Sequence, residues 1–240
     1  MIAIKSIVYL IGQIVSAMVI SVLAVVSLVL PRTMRDSIIR SWARFNIWSL
    51  GKICGIHYRV QGQENIPDCP AIILSNHQSA WETLCFQLFF PPVSFVLKRQ
   101  LLWIPFFGWG LAAYRPIAID RSKKRRALDQ LITQGKQRMA EGRWLIIYPE
   151  GTRMPPDAPG NFQIGGAMIA ARSGAPVLPI AHNAGVFWPK NSFLKYPGTI
   201  DVIFGPVIET KGRKAREINE QAENWIKQVL ADLPRQRNSA

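Results

Sequence analysis

Between Ser6 and Pro31 the chain carries no charged side chain, and from Ile7 to Leu30 it is apolar almost throughout. No other stretch constrains the fold as much. A helix over Ile7 to Leu30 would be about 36 Å long, against roughly 30 Å of bilayer hydrocarbon. Being apolar all round, it does not suit an amphipathic helix on a soluble core. A cleaved signal peptide is the rival reading. The run is too long for one, only Lys5 precedes it, and no Ala-x-Ala site follows. The expectation is a membrane-anchoring helical segment. Arg32, Arg35, Arg40 and Arg44 come straight after it. That bias predicts an inner (cytoplasmic) membrane, with the rest of the chain facing the cytoplasm. Met34, Ile38, Trp42, Phe45 and Trp48 then recur at helical spacing, flanked by Arg40 and Arg44. The pattern fits an interfacial helix, and a helix packed on the domain is the alternative.

Residues 1–50 are therefore expected to form membrane-embedded or interfacial helices, and 51–240 a single α/β domain. Short apolar runs alternate with helical patterns. Strands are expected at Ile56 to Gln61, Ala71 to Leu74, Val93 to Leu97, Ile117 to Ile119, Trp144 to Tyr148, Ala175 to Ala181 and Thr199 to Phe204. Pro176 and Pro179 predict that the sixth of these is irregular or at a sheet edge. Helices are expected at Leu84 to Phe90, Lys123 to Met139, Phe162 to Arg172 and Arg213 to Leu230. In the third of these, Gly165 and Gly166 predict close packing. The fold class is α/β, a mixed β-sheet flanked by helices. Leu101 to Ala113 holds four aromatic residues but is too short to span and is broken by Pro105. It reads either as core or as an acyl-chain lining or second membrane contact. The tail from Pro234 is polar and expected to be loose.

Charge narrows the partners. Net charge is +14, from 29 Lys and Arg against 15 Asp and Glu. An anionic partner follows: nucleic acid, an acidic membrane face or a phosphorylated substrate. No nucleic-acid-binding motif is present, so no nucleic acid is expected. Cys54, Cys69 and Cys85 have no metal-ligand spacing, and the reading names no metal and no cofactor. They read as buried small hydrophobes, with a nucleophilic Cys85 as the alternative.

The chemistry gathers at strand ends. His77, in Ser75-Asn76-His77-Gln78-Ser79-Ala80-Trp81-Glu82-Thr83, lies between a strand and a helix, with Glu82 near the helix start. A histidine with a carboxylate in reach is the minimal general-base pair. Lys98, Arg121 and Arg153 also sit at or just past strand ends, where an α/β sheet builds its cleft. Three cations around one base suit an anionic substrate, and a phosphomonoester best. Ser79 as a nucleophile is the weaker alternative, being only two residues from His77 in a turn. The basic run Lys123 to Arg126 reads as a solvated face or as a contact for anionic lipid or donor phosphates.

Four blocks occur in order: the stretch around His77; Lys98-x-x-Leu101-x-x-x-Pro105-x-x-Gly108 with Ile117-x-x-x-Arg121; Glu150-Gly151-Thr152-Arg153; and Pro-Val-Leu-Pro-Ile from Pro176. Together they resemble the 1-acylglycerol-3-phosphate acyltransferases, over about Ile56 to Gly205. Glu82 departs from that family's usual Asp. The resemblance implies the glycerolipid acyltransferase fold, with N-terminal helices that dip into one leaflet. It also implies a membrane enzyme that moves an acyl group from acyl-CoA or acyl-carrier protein to lysophosphatidic acid. His77 would be the base and Glu82 its orienter. Lys98, Arg121 and Arg153 would hold the phosphate. Glu150, Gly151 and Thr152 join the substrate site, although Glu150 serves equally as an anchor for the turn that aims Arg153. Backbone amides near Gly151 or Gln78 are candidates for the oxyanion. Two alternatives stay open: another lysolipid acceptor (a lysophospholipid or lyso-ornithine lipid), or a non-enzymatic basic protein on membrane or nucleic acid.

Overall fold

The structure is a computed structural model that describes residues 1–90, 92–120 and 124–237. Helices α1 (Ile2–Val26) and α2 (Arg32–Cys54) form an antiparallel hairpin around a short 3₁₀ turn. The Trp42 indole N–H donates to Ser16 Oγ at 3.0 Å, which fixes their register. Only 17% of the most apolar window of α1 is buried, at a mean hydropathy of 2.3. Its outer face therefore has no protein against it. Gly55, at φ +69°, ends α2 in the left-handed conformation that glycine adopts without strain.

The seven strands are β1 (Ile56–Gln61), β2 (Ile72–Ser75), β3 (Val93–Lys98), β4 (Ile117–Ile119), β5 (Trp144–Ile147), β6 (Val177–His182) and β7 (Gly198–Phe204). They form one mixed sheet in the order β1-β7-β6-β2-β5-β3-β4, with only β6 and β7 paired antiparallel. The C-terminal ends of β2 to β6 thus share one edge of the sheet.

The central strands are buried on both faces, and alternate residues feed two cores, as a parallel sheet requires. Ile72, Leu74, Leu145 and Ile147 pack under α5 (Lys124–Ala140), α6 (Gly165–Ser173) and the closing helix α7 (Ala215–Asp232). A Cβ on Gly166 would stand 2.6 Å from Leu74 Cδ2, so the close helix–sheet packing expected of these glycines is present. On the other face, Ile73 and Ile146 join Trp81 and Phe86 of α3 (Trp81–Phe89) and Ile47 and Leu50 of α2. The hairpin and the sheet therefore share one core.

Four expectations change. β6 is third in the sheet and buried throughout, not irregular or at an edge. Two residues of β6, Leu178 and Pro179, face three, Gly205 to Val207, between the pairs Val177–Ile208 and Ile180–Phe204. That is a β-bulge, which tolerates a proline inside a sheet. Leu101 to Ala113 is mostly surface rather than core, with Trp103 and Trp109 well exposed. Cys69 is exposed, whereas Cys54 and Cys85 are buried. The tail is held as far as Arg237, whose guanidinium lies 3.7 Å over the Tyr196 ring and donates to the Val186 carbonyl.

Candidate active site

β2 delivers Asn76 and His77 to the shared sheet edge, and α3 begins four residues later. Glu82, in the first turn of α3, is fully buried. Its Oε1 accepts three hydrogen bonds: His77 Nδ1 at 2.7 Å, Gln78 N–H at 2.9 Å and Ser79 N–H at 2.8 Å. The loop thus wraps around one carboxylate oxygen. This answers the Asp-to-Glu departure, because the longer side chain reaches His77 at full hydrogen-bond length. Burial alone would raise the Glu82 carboxyl. His182 and the bonds from His77 and Ser79 outweigh burial and hold it below the usual carboxylate range. An ionised Glu82 makes Nδ1 the protonated nitrogen of His77. Nε2 is then the free acceptor on a ring that lines the main cavity.

The His77 backbone is fixed as firmly as its ring. Its N–H donates to Glu150 Oε2 at 2.6 Å, and its carbonyl accepts from Met154 N–H at 2.7 Å. The other oxygen of Glu150 accepts from Gly160 N–H at 3.0 Å. Glu150 is thus an anchor between the His77 loop and the loop after β5. Burial pushes its carboxyl up. Gly151, at φ +72°, makes the turn that follows Glu150.

Lys98 at the end of β3 and Gly151, Thr152 and Arg153 beyond β5 line the same cavity as His77. Among the described residues, neither Lys98 nor Arg153 is paired with a carboxylate. Arg121 lies outside the described residues, as does Lys123 of the basic run. The cavity, about 500 Å³, continues from this polar end between the α1–α2 hairpin and the sheet. Ala17, Ile20 and Ala24 of α1 form part of its apolar wall, together with Phe95, Leu97 and Leu111.

Several residues lay beyond sequence reasoning. Tyr148 stacks on the His77 ring, with centroids 4.2 Å apart and planes 13° from parallel. Asn76 and His182 exchange backbone-to-side-chain bonds of 2.9 and 3.0 Å that tie the ends of β2 and β6 together. Burial pushes the His182 imidazole down, and its Nε2 meets the Asn76 carbonyl at 3.0 Å. The available signal was positional: each lies at or beside the C-terminal end of a strand.

Three readings narrow here. Gln78 N–H is bonded to Glu82, and Gly151 N–H to the Tyr148 carbonyl at 3.0 Å, so an oxyanion would use a neighbouring amide rather than either of these two. Buried Cys85 has its thiol pushed well up by burial, which makes it a poor nucleophile. Ser79 is buried as well, and its hydroxyl accepts from Trp81 N–H.

Residues 57–183 match the acyltransferase family. Over 199 residues the chain is 50% identical to the 1-acyl-sn-glycerol-3-phosphate acyltransferase of Pseudomonas aeruginosa, covering 82% of this chain and 77% of that one. It is 30% identical over 190 residues to the Saccharomyces cerevisiae enzyme of that name, covering 75% of this chain and 60% of the yeast one. The crystal structure of the 1-acyl-sn-glycerophosphate acyltransferase from Thermotoga maritima superposes with a TM-score of 0.70. At 24% identity it covers 97% of this chain and all of that one, and it establishes the shared fold. The chain belongs to the 1-acylglycerol-3-phosphate acyltransferase family.

Proposed function

We propose that the protein transfers a fatty acyl group from an acyl thioester to the free hydroxyl of 1-acylglycerol 3-phosphate, making phosphatidic acid in phospholipid biosynthesis. The observation that carries this reading is the 2.7 Å His77–Glu82 pair on a cavity that also holds Lys98 and Arg153. His77 Nε2 takes the hydroxyl proton as the oxygen attacks the thioester carbonyl. Glu82 stabilises the imidazolium that forms. The tetrahedral intermediate collapses, the C–S bond breaks, and the leaving thiolate recovers the proton from His77. Lys98, Arg153 and Arg121 hold the acceptor phosphate by charge-assisted bonds. Gly151 and Thr152 shape that end of the cavity, and its apolar length takes an acyl chain. The thioester is acyl-CoA or acyl-carrier protein.

The hairpin lies in the cytoplasmic leaflet of the inner membrane rather than crossing it. A spanning helix needs about 20 residues clear of water-phase protein. Here both ends of the hairpin are tied to the catalytic domain. Ser6 Oγ accepts from Lys195 N–H at 2.9 Å near the start of α1. Near the turn, buried Arg143 meets both oxygens of Asp36, at 2.7 and 3.2 Å.

Purified enzyme should be offered lysophosphatidic acid, lysophosphatidylcholine and glycerol 3-phosphate with one acyl thioester. The expected result is turnover that favours lysophosphatidic acid. Equal or faster turnover of lysophosphatidylcholine would move the assignment to another lysolipid acceptor.

A further inference from the structure

The apolar segment between β3 and β4 has no part in proton transfer or phosphate binding. It comprises a 3₁₀ turn, Arg99–Trp103, and helix α4, Phe107–Ala113. Trp103 is 69% exposed and Trp109 50%, with Ile104, Phe106 and Phe107 also exposed. Clustered exposed apolar surface marks an interaction site.

This surface is built rigidly. Phe107 N–H bonds the Pro105 carbonyl at 2.7 Å, closing a γ-turn with Phe106 at φ +62°. That turn is strained for a non-glycine residue and persists only where its surroundings hold it. A Cβ on Gly108 would stand 2.3 Å from the Leu102 carbonyl oxygen, which fixes α4 on the 3₁₀ turn. A Cβ on Gly110 would stand 2.8 Å from Ser21 Oγ, so α4 is packed directly on α1. From Leu101 to Tyr114 there is no charged residue, whereas Lys98 and Arg99 at its border are exposed. Leu101, Phe107 and Leu111 line the cavity together with Ala17 and Ile20 of α1.

We propose that Leu101 to Ala113 is a second lipid-inserting element. It seats the rim of the cavity in the leaflet that holds α1, so that a lysolipid reaches His77 without crossing water. The proposal rests on the membrane reading above. The occupant is a lipid leaflet because the surface continues that of α1. It is free of charge within, is bordered by exposed Arg99 for an anionic headgroup, and carries tryptophans, which favour the interface.

Spin labels at Trp109→Cys and, separately, Val15→Cys, each in a Cys69→Ser background, would be read for depth by oxygen and nickel accessibility in anionic vesicles. Val15 is an exposed α1 position. Both labels should lie in lipid. A lipid-buried label at 15 with a water-exposed label at 109 overturns this proposal and leaves the membrane reading intact. Water exposure at both positions overturns both readings. As a second measurement, Trp103→Ser/Trp109→Ser should raise the apparent KM for bilayer-presented lysophosphatidic acid by about 10-fold. It should leave kcat and the KM for a short-chain, monomeric acceptor unchanged. An unchanged KM in bilayers, or an equal loss on both acceptors, also overturns the proposal.

Discussion

Replacing Glu82 by Gln tests the catalytic pair most directly. In the proposed transfer, the 2.7 Å contact with His77 holds a carboxylate beside the imidazolium that forms. At an effective dielectric of about 20, the Coulomb attraction at that distance is roughly 6 kcal/mol, which sets the ceiling. The floor is the gap between a charged and a neutral hydrogen bond, about 1 kcal/mol. These bounds correspond to losses between roughly 5-fold and 10⁴-fold in kcat. Total burial of Glu82 favours the upper half, so a loss of about 10²–10⁴-fold is expected, close to that of His77→Ala. Glu82→Asp keeps the charge but withdraws it by about one C–C bond, 1.5 Å. It should fall between wild type and Glu82→Gln. The double variant His77→Ala/Glu82→Gln should be little worse than His77→Ala, because groups acting as one unit are not additive. The assay is kcat and KM for lysophosphatidic acid on purified protein. Thermal unfolding should run alongside, since Oε1 also holds Gln78 and Ser79. Full activity in Glu82→Gln beside a dead His77→Ala would refute the pair and require another partner for His77.

Lys98→Ala and Arg153→Ala should each cost about 10-fold or more in kcat/KM for lysophosphatidic acid, and Arg153→Lys should rescue incompletely, lacking the planar fork. Wild-type kinetics in both Ala variants would remove the phosphate assignment. Asp36→Asn should destabilise by about 3–5 kcal/mol, because it leaves buried Arg143 without its counter-charge, as read by chemical denaturation. The Glu82 carboxyl is held below its unfolded value, so its stabilisation is complete above about pH 4.3 and fades as pH falls through the folded value. The Tm gap between wild type and Glu82→Gln should therefore close in acid. Glu150, pushed up by burial, has the opposite sign: ionised Glu150 costs stability, and that cost is relieved as pH falls toward its unfolded value.

Apolar runs were enough to find six of the seven strands, because strands buried in a sheet have little other composition open to them, whereas β1, an exposed edge strand, showed itself by alternation. The same logic placed His77, Lys98 and Arg153 at strand ends, and the sheet directions bring them to one edge. Pro179 misled because a proline is a local signal, whereas the bulge that accommodates it depends on how Gly205 to Val207 bow against β6. Leu101 to Ala113 stayed open between core and lining because hydrophobic composition does not say what covers an apolar surface, and the structure puts Leu101, Phe107 and Leu111 on the cavity wall. The tie between Asp36 and Arg143 spans over 100 residues and has no local signature. Neither the Tyr148 stack nor the occupied amides of Gln78 and Gly151 leave a trace in residue spacing, since both depend on how loops fold back.

The pairing of β1 with β7 joins Ile56 to Gly198, about 140 residues apart. At a ribosomal rate of roughly 5–20 residues per second, β1 waits some 7–30 s for its neighbour. During that interval the inner face of α2 has been made, while the α3 side chains that cover it follow only after residue 81. The nascent protein thus holds an unsatisfied apolar hairpin first and an incomplete sheet for longest. Loop closure on that scale makes folding slow. A lipid surface that takes up the hairpin as it emerges would keep the unfinished chain from sticking to others, which makes the anchor a folding aid before it is a docking device.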